Sequence, residues 1–308
     1  METIKHILPP SICEAIEKRI VNRWRLLEEI RLRIHLPIEL SFFSSVDWLH
    51  ETVFTEEDCT YVLRQLSEHS LYRLEDELRN GYITITGGHR VGLAGEVVTD
   101  HASVSHIEHV TFFNIRIARE VKNVAQAYMP FLRNKTNYYN TLIVGAPQTG
   151  KTTLLRDMAR MISDGSEHMR GQKVAIIDER SEIGASKDGV PQFYIGKRSD
   201  IMDACPKVDG IMMMIRSMSP DVLIVDEIGT TKDVEAILEA TLAGVTVICT
   251  VHSATFEEVR KRPSLQPIFQ MNTFKRIILL TKPYADKYHI DIFTDEGKKL
   301  LRDFVQKR

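Results

Sequence analysis

Cysteine is scarce in this sequence, and its spacing excludes two kinds of site. The four cysteines, at positions 13, 59, 205 and 249, form no CxxC pair and have no histidine at zinc-ligand spacing. A disulfide framework and a structural zinc site are therefore not expected. The thiols are predicted to be reduced, as they are in the cytoplasm.

Long hydrophobic runs are also missing. No apolar stretch approaches the roughly 20 residues that a helix needs to cross a bilayer. The N-terminal stretch METIKHILPPS has only a short apolar run, which two prolines interrupt. It therefore does not predict a signal peptide. A cytoplasmic protein is therefore expected. Peripheral attachment to a membrane complex is compatible with this, because it requires neither a membrane-spanning run nor a signal peptide.

The chain carries no large excess of either charge. Its 40 Lys and Arg residues against 42 Asp and Glu residues give a net charge of −2. Such a chain has no overall attraction for nucleic acid, so no nucleic acid is expected as a partner, although a local basic groove is compatible with these totals. With 308 residues, of which 43% are hydrophobic, the sequence is long enough for two globular domains.

One stretch, TLIVGAPQTGKTTLLRD at 141–157, combines a strand, a loop and a helix. Residues 142–144 are apolar and predict a buried strand, while apolar residues between 154 and 162 recur along one helical face. Between them lies GxxxxGKT, the P-loop sequence. Because the flanking strand and helix are those that the motif requires, we predict a nucleotide-binding site rather than a chance loop.

Each residue type in this motif has a physical reason. Gly145 and Gly150 allow turns in which successive N–H groups converge on a phosphate, and the helix that follows directs its positive end at the same anion. Lys151 adds a positive charge for the β and γ phosphates, and the Thr152 hydroxyl can ligate Mg²⁺. The residues predicted to bind ATP are Gly145, Ala146, Pro147, Gln148, Thr149, Gly150, Lys151, Thr152 and Thr153.

Residues 1–122 are predicted to form the smaller of two domains, an α+β domain with an antiparallel sheet. Helices are expected after a capping box at 11–14, at about 56–68, and around Leu71, Leu74 and Leu78. Strands are expected within 25–42, at 82–95 with a tight turn at Gly87-Gly88, and at 111–119. No catalytic constellation is evident in this part of the chain.

Residues 123–308 are predicted to form a P-loop NTPase domain of the α/β class with a mainly parallel sheet. Continuous apolar runs, which indicate strands covered on both faces, occur at 141–145, 174–178, 222–226, 245–251 and 276–281. A helix at 233–243 fits one crossover between them.

Acidic residues follow two of these predicted strands. Asp226 and Glu227 come after an apolar run and should face the phosphates, because ligands bind at the carboxyl ends of parallel strands. Asp226 is predicted to hold Mg²⁺ and Glu227 to polarise the attacking water. Asp178 and Glu179 end an earlier run and are further catalytic candidates, with the alternatives that Asp178 caps a turn and that Glu179 pairs with Arg180.

A histidine follows a third strand. His252, within the run TVHSAT, is predicted to lie beside the γ phosphate, where an imidazole can distinguish ATP from ADP by hydrogen bonding. The alternative is a polar residue that only satisfies local hydrogen bonds. GTP specificity is not expected, because no NKxD motif follows the P-loop.

These four motifs, in this order, resemble those of type II and type IV secretion ATPases and pilus motors, which carry a Walker A loop, an acidic box, a Walker B strand and a histidine box. The acidic box here reads Asp-Glu-Arg instead of the usual Glu-Asp-Pro, and Asp226 replaces a small residue that often precedes the Walker B glutamate. Both differences leave open which carboxylate acts as the base.

A more extensive resemblance covers nearly the whole chain. The runs GGHRVGLAGEVV, NIRIARE, IIDERSEIGA, GVPQ, DACPKVDGIMMMIRSMSP and VLIVDEIG are similar to the stage III sporulation protein AA family of endospore-forming bacteria. This resemblance implies a hexameric mother-cell ATPase, peripheral at the cytoplasmic face of a membrane-embedded channel complex that joins mother cell and forespore.

The resemblance to secretion ATPases also gives the first domain a role. In those proteins an N-terminal domain contributes arginines to the nucleotide, and Arg116 and Arg119 match the end of that domain. They are candidates for phosphate contact, with surface arginines as the alternative; Arg216 and Arg260 are weaker candidates for an arginine finger. A nucleic-acid motor, or an ATP-switched assembly protein with little turnover, remains the alternative function.

Overall fold

The computed structural model describes residues 1–67, 81–100, 103–167, 169–284 and 287–306. Its chain divides into two compact units, Met1–Glu120 and Val121–Arg308. This division lies two residues before the boundary predicted from the sequence.

The first unit is a six-stranded antiparallel sheet with helices. Its helices are α1 (Glu2–Ile7), α2 (Pro10–Ile20) and α3 (Glu56–Leu66). Its strands are β1 (Leu27–Arg33), β2 (Pro37–Phe42), β3 (Val46–Val53), β4 (Tyr82–Ile85), β5 (His89–Asp100) and β6 (Ser103–Arg116). The strands lie in the order β3-β2-β1-β6-β5-β4, and every neighbouring pair is antiparallel, as predicted.

The N-terminal ends of the helices in this unit confirm one local prediction and contradict another. The predicted capping box at 11–14 is wrong: the N-cap of α2 is Pro9, two residues before Ser11, and it makes no side-chain cap. Proline suits the first helical position because its fixed φ matches a helix and its missing N–H would have had no partner there. In contrast, Thr55 and Asp58 form a complete capping box for α3. The helix predicted around Leu71, Leu74 and Leu78 lies outside the described residues.

The second unit is built on an eight-stranded sheet. Its longer helices are α4 (Lys151–Asp164), α5 (Lys207–Met218) and α6 (Thr231–Leu242), and the short helices α7 (Phe256–Lys261) and α8 (Gln266–Gln270) follow. Its strands are β7 (Thr141–Gly145), β8 (Gly165–Ser166), β9 (Met169–Arg170), β10 (Val174–Asp178), β11 (Ser199–Asp203), β12 (Val222–Val225), β13 (Thr246–His252), β14 (Arg276–Tyr284), β15 (Lys287–Thr294) and β16 (Lys299–Gln306).

The sheet order, β11-β10-β12-β13-β7-β14-β15-β16, confirms a mainly parallel sheet. Neighbouring strands from β11 to β14 pair in parallel, which includes all five runs predicted from continuous apolar sequence. The sequence did not predict β11 or the antiparallel strands β15 and β16, which extend the sheet at its two edges. The short strands β8 and β9 form a separate hairpin.

Helices cover both faces of this sheet. On one face Leu155 and Met158 of α4 pack with strand residues such as Ile176. On the other face Ile211 of α5 and Ile237 of α6 belong to a second core cluster with the alternate strand residues. Because successive side chains of a strand point to opposite faces, covering both faces requires the continuous apolar runs that the sequence shows.

Candidate nucleotide-binding site

The P-loop connects the end of β7 to the start of α4. Gly150 has a φ of 87°, in the left-handed region that favours glycine, and it directly precedes the first residue of the helix. A Cβ at Gly145 would lie 2.6 Å from the Thr149 hydroxyl and 3.0 Å from the Leu280 carbonyl oxygen, so the loop closes only with glycine there. Both glycines of the motif therefore have a structural reason at their positions.

Lys151 is a buried cation held by neutral groups. Its side chain donates hydrogen bonds of 2.8 Å to the carbonyl oxygens of Gly145 and Ala146, and the residue is only 4% exposed. Burial lowers the pKa of Lys151, an effect opposed by the nearby carboxylates Asp226 and Glu227. A buried ammonium group with carbonyl partners at a helix N-terminus fits a bound phosphate, which would supply the negative charge.

Thr152 and Asp226 form a cluster of oxygen ligands beside the loop. The Thr152 hydroxyl donates a 2.9 Å hydrogen bond to one carboxylate oxygen of Asp226, and the Thr250 hydroxyl donates to the other. Hydroxyl and carboxylate oxygens are the ligands that Mg²⁺ prefers. The residues present therefore fit a magnesium ion, and its coordination by Thr152 and Asp226 stays a prediction.

Glu227 is held in a constrained position next to this cluster. Its φ of 52° is left-handed, a conformation that costs a residue with a side chain on the order of 1 kcal/mol. The backbone N–H of Glu227 donates a 2.8 Å hydrogen bond to the Thr250 hydroxyl oxygen. One carboxylate oxygen lies 2.8 Å from Arg180 Nη1 and the other 3.4 Å from His252 Nδ1. The side chains of Glu227, His252 and Arg180 therefore meet at the carboxyl ends of the strands.

The register of the sheet explains this meeting point. His252 lies opposite Gly145 across the β13–β7 pair, and Val225 lies opposite Cys249 across the β12–β13 pair. The residues that follow β12 therefore lie beside the last residues of β13 and the first residue of the P-loop.

Asp178 occupies a different local environment at the end of β10. Its two oxygens accept hydrogen bonds of 2.8 to 2.9 Å from the backbone N–H groups of Glu182, Ile183 and Gly184. Burial raises the pKa of Asp178 to about 6, although these three hydrogen bonds oppose the shift. Because its oxygens are engaged by the turn, this geometry favours a role in shaping the loop at 178–184. A catalytic role for Asp178 stays a prediction.

The same loop is held from the other side by the P-loop helix. Arg156 of α4 donates to the carbonyl oxygens of Glu182 and Ile183, and its guanidinium lies 4.2 Å from the ring centroid of Phe193. Glu179 pairs with Lys207 of α5, whereas Arg180 pairs with Glu227. The loop after β10 therefore connects the P-loop helix to the Glu227 carboxylate.

Arg116 and Arg119 have partners within the first unit. The guanidinium of Arg116 lies 3.8 Å from a Glu29 carboxylate oxygen, and Arg119 donates to the carbonyl oxygen of Leu27. Their predicted contact with phosphate stays a prediction. Arg216 and Arg260 are exposed on α5 and α7, respectively.

For three residues of the site, the sequence did not predict the contacts that the structure shows. Thr250 supports both Asp226 and Glu227, Arg180 contacts the Glu227 carboxylate, and Arg156 supports the loop after β10. For Thr250 a signal existed, since it lies two residues before His252 and residues at that spacing share a strand face. Arg156 had no comparable signal, because its partners lie 26 and 27 residues further along the chain.

Among the residues that the structure describes, no helix is long and apolar enough to cross a membrane.

Solved structures with a similar fold are ATPases. The chain aligns with the Legionella pneumophila ATPase DotB with a TM-score of 0.60 and 15% identity, over 98% of this chain and 82% of that one. It aligns equally well with the ADP-bound pilus retraction motor PilT, with a TM-score of 0.60 and 17% identity over 95% and 83% of the two chains. These similarities confirm the predicted fold class, a P-loop α/β domain preceded by a smaller α+β domain.

Sequence comparison identifies the family directly. The chain is 44% identical over 302 residues to the stage III sporulation protein AA of Bacillus subtilis strain 168, and the alignment covers 98% of each protein. The profile of the family described as sporulation stage III, protein AA, matches residues 1–300. This chain, with its P-loop and its Thr152–Asp226 cluster, therefore belongs to the sporulation stage III protein AA family.

Proposed function

We propose that this protein hydrolyses ATP in a magnesium-dependent reaction. The observation that carries the proposal is the constellation of Lys151, the Thr152–Asp226 pair and Glu227 at the carboxyl ends of central strands of the sheet. It combines a cation for phosphate, ligands for the metal and a carboxylate beside them. In phosphoryl transfer the protein contributes mainly positioning and charge stabilisation, which these groups supply.

The residues of the chain have distinct parts in this reaction. The backbone N–H groups of residues 148–152, at the start of α4, bind the β and γ phosphates. Lys151 exchanges its carbonyl partners for phosphate oxygens, and Glu227 orients and deprotonates the attacking water. His252, beside the Glu227 carboxylate, is placed to sense the γ phosphate. When bound, Mg²⁺ neutralises the negative charge on the phosphate oxygens.

Family membership supports a cellular role. We infer that ATP hydrolysis energises a membrane-associated, secretion-like complex during endospore formation, with the protein acting as a homohexamer at the mother-cell face of the forespore membrane. Membership in a sporulation family and a fold shared with the ATPase DotB and the retraction motor PilT support this role. In such a ring, arginines such as Arg116 and Arg119 act on the nucleotide.

The direct test of the catalytic proposal is phosphate release by the purified protein with MgATP. Hydrolysis that requires Mg²⁺ and is lost when EDTA removes it is the expected result. Binding of ATP without phosphate release would instead favour an assembly protein that uses the nucleotide only as a switch.

Arg180 provides a test of how the Glu227 carboxylate is positioned. Arg180→Ala is expected to lower kcat for ATP hydrolysis about tenfold, because the Glu227 side chain loses one of its two contacts. KM should remain within about twofold, since the contact that is lost is with the Glu227 carboxylate. Steady-state kinetics with Arg180→Lys, which retains the charge, should show partial recovery.

The control for this experiment is Arg25→Ala, the same substitution at an exposed arginine of the first unit. It should leave both kinetic constants unchanged. An increase in KM at constant kcat in Arg180→Ala would mean that Arg180 binds the substrate, and the positioning role would then be rejected.

A further inference from the structure

A polar groove of about 860 Å³ opens at the end of the sheet opposite the P-loop. Lys173, Arg198, Asp221 and Val245, which line it, directly precede β10, β11, β12 and β13, respectively. The P-loop and Glu227 follow the carboxyl ends of strands in the same sheet. The groove is therefore separate from the proposed ATP site.

The groove is strongly basic on a chain that is slightly acidic overall. Four cationic residues, Lys135, Arg170, Lys173 and Arg198, contribute to its lining, and Asp221 is the single acidic residue among the lining residues. Four positive charges and one negative charge give +3, whereas the whole chain has a net charge of −2. The sequence totals allowed such a local basic groove without indicating where it lies.

Local hydrogen bonds fix the backbone around these cations. The Asn134 side chain accepts a 2.8 Å hydrogen bond from the Thr136 N–H and so shapes the turn that carries Lys135. The Arg198 N–H donates a 2.6 Å hydrogen bond to the Ser163 hydroxyl, and the Arg198 guanidinium donates to the Gly171 carbonyl oxygen. The walls of the groove are thus preformed, which lowers the entropic cost of binding a ligand.

We propose that this groove binds an acidic peptide segment of a partner protein. Its excess of positive charge complements carboxylates, and Asn137 and Gln172 add neutral amide groups that can hydrogen-bond to a peptide backbone. Single-stranded nucleic acid is less well matched, because it binds by stacking on exposed aromatic rings. Tyr138, the one aromatic residue of the lining, is only 8% exposed.

The test uses the full chain and a fluorescent peptide of about ten residues in which Glu and Ser alternate, which is about 33 Å long when extended. Fluorescence anisotropy at low ionic strength should detect binding that weakens as salt is added. The double variant Arg170→Glu/Lys173→Glu should bind at least about tenfold more weakly, since two attractive charges become repulsive. The Lys173 backbone hydrogen bond to Asp221 is retained in this variant.

The matched control is Lys232→Glu/Lys298→Glu, which makes the same change in net charge at two exposed lysines outside the groove. It should bind the peptide as the wild type does, and both double variants should retain ATP affinity and thermal stability. Equal loss in both variants would overturn the proposal, because binding would then depend on net charge alone. Tighter binding of a single-stranded oligonucleotide than of the peptide would also overturn it.

Discussion

Replacing Glu227 with glutamine is expected to lower kcat for ATP hydrolysis by about 10²- to 10⁴-fold, the usual contribution of a general base. Glutamine has nearly the same shape and keeps one oxygen, but it cannot accept the proton of the attacking water. ATP affinity should stay within about threefold of the wild type, because Lys151 and the P-loop backbone are unchanged. Phosphate-release assays and nucleotide titration measure the two effects separately.

The matched control for this substitution is Glu235→Gln, at an exposed glutamate of α6. It should hydrolyse ATP at the wild-type rate. Full activity in Glu227→Gln would show that another carboxylate is the base, and Asp178 would be the first to examine because burial raises its pKa to about 6. An inactive wild type that binds ATP tightly would favour the nucleotide-switched assembly protein.

Replacing Lys151 with alanine is expected to abolish measurable ATP binding, with a loss of at least about 100-fold in affinity. Charge-assisted hydrogen bonds to phosphate contribute roughly 1.5–3 kcal/mol each, and a factor of ten corresponds to about 1.4 kcal/mol. The lysine is buried against the carbonyl oxygens of Gly145 and Ala146. Isothermal titration calorimetry with MgATP measures the loss.

Measuring the thermal stability of Lys151→Ala distinguishes a loss of ATP binding from misfolding. The circular dichroism spectrum and melting temperature of Lys151→Ala establish whether the variant is folded, so that a loss of ATP binding can be assigned to the missing ammonium group. Lys232→Ala, at an exposed lysine of α6, serves as the control and should leave ATP binding intact. Wild-type ATP affinity in a folded Lys151→Ala protein would contradict the assignment of the P-loop.

The parts of the fold that could be predicted from sequence are those with a strong local signal. Continuous apolar runs identified β7, β10, β12, β13 and β14, because each of these strands is buried on both faces of the sheet. In β11 the pattern is mixed, with exposed Asp200 between half-buried neighbours. Such an edge strand is defined by pairing with β10 and not by its own sequence, so local pattern alone could not identify it.

The candidate site shows the same division between local and tertiary information. The P-loop and the Asp226-Glu227 pair were predicted because fixed spacing after a strand implies their position. The contacts of Arg180 and Thr250 with these residues depend on the alignment of β10, β12 and β13 in the sheet. A sequence lists the side chains at strand ends but does not say which of them face each other.

The sequence also offered two interpretations of the acidic box. For Asp178, the turn-capping alternative describes the hydrogen bonds that the structure shows. For Glu179, the alternative predicted an ion pair with Arg180. In the structure Glu179 pairs with Lys207, and Arg180 pairs with Glu227. Neighbouring residues after a strand point in different directions, which is why adjacency in sequence was a poor guide to the ion pair.

The account as a whole depends on turnover of ATP by an assembled ring. The measurement that tests it most directly is phosphate release by the purified wild-type protein with MgATP over a range of protein concentrations, together with its molecular mass at each concentration. We predict magnesium-dependent hydrolysis whose rate per protomer rises as hexamers form. Hydrolysis at the full rate by a dilute monomer would contradict the ring, and no hydrolysis at any concentration would contradict the proposed ATPase.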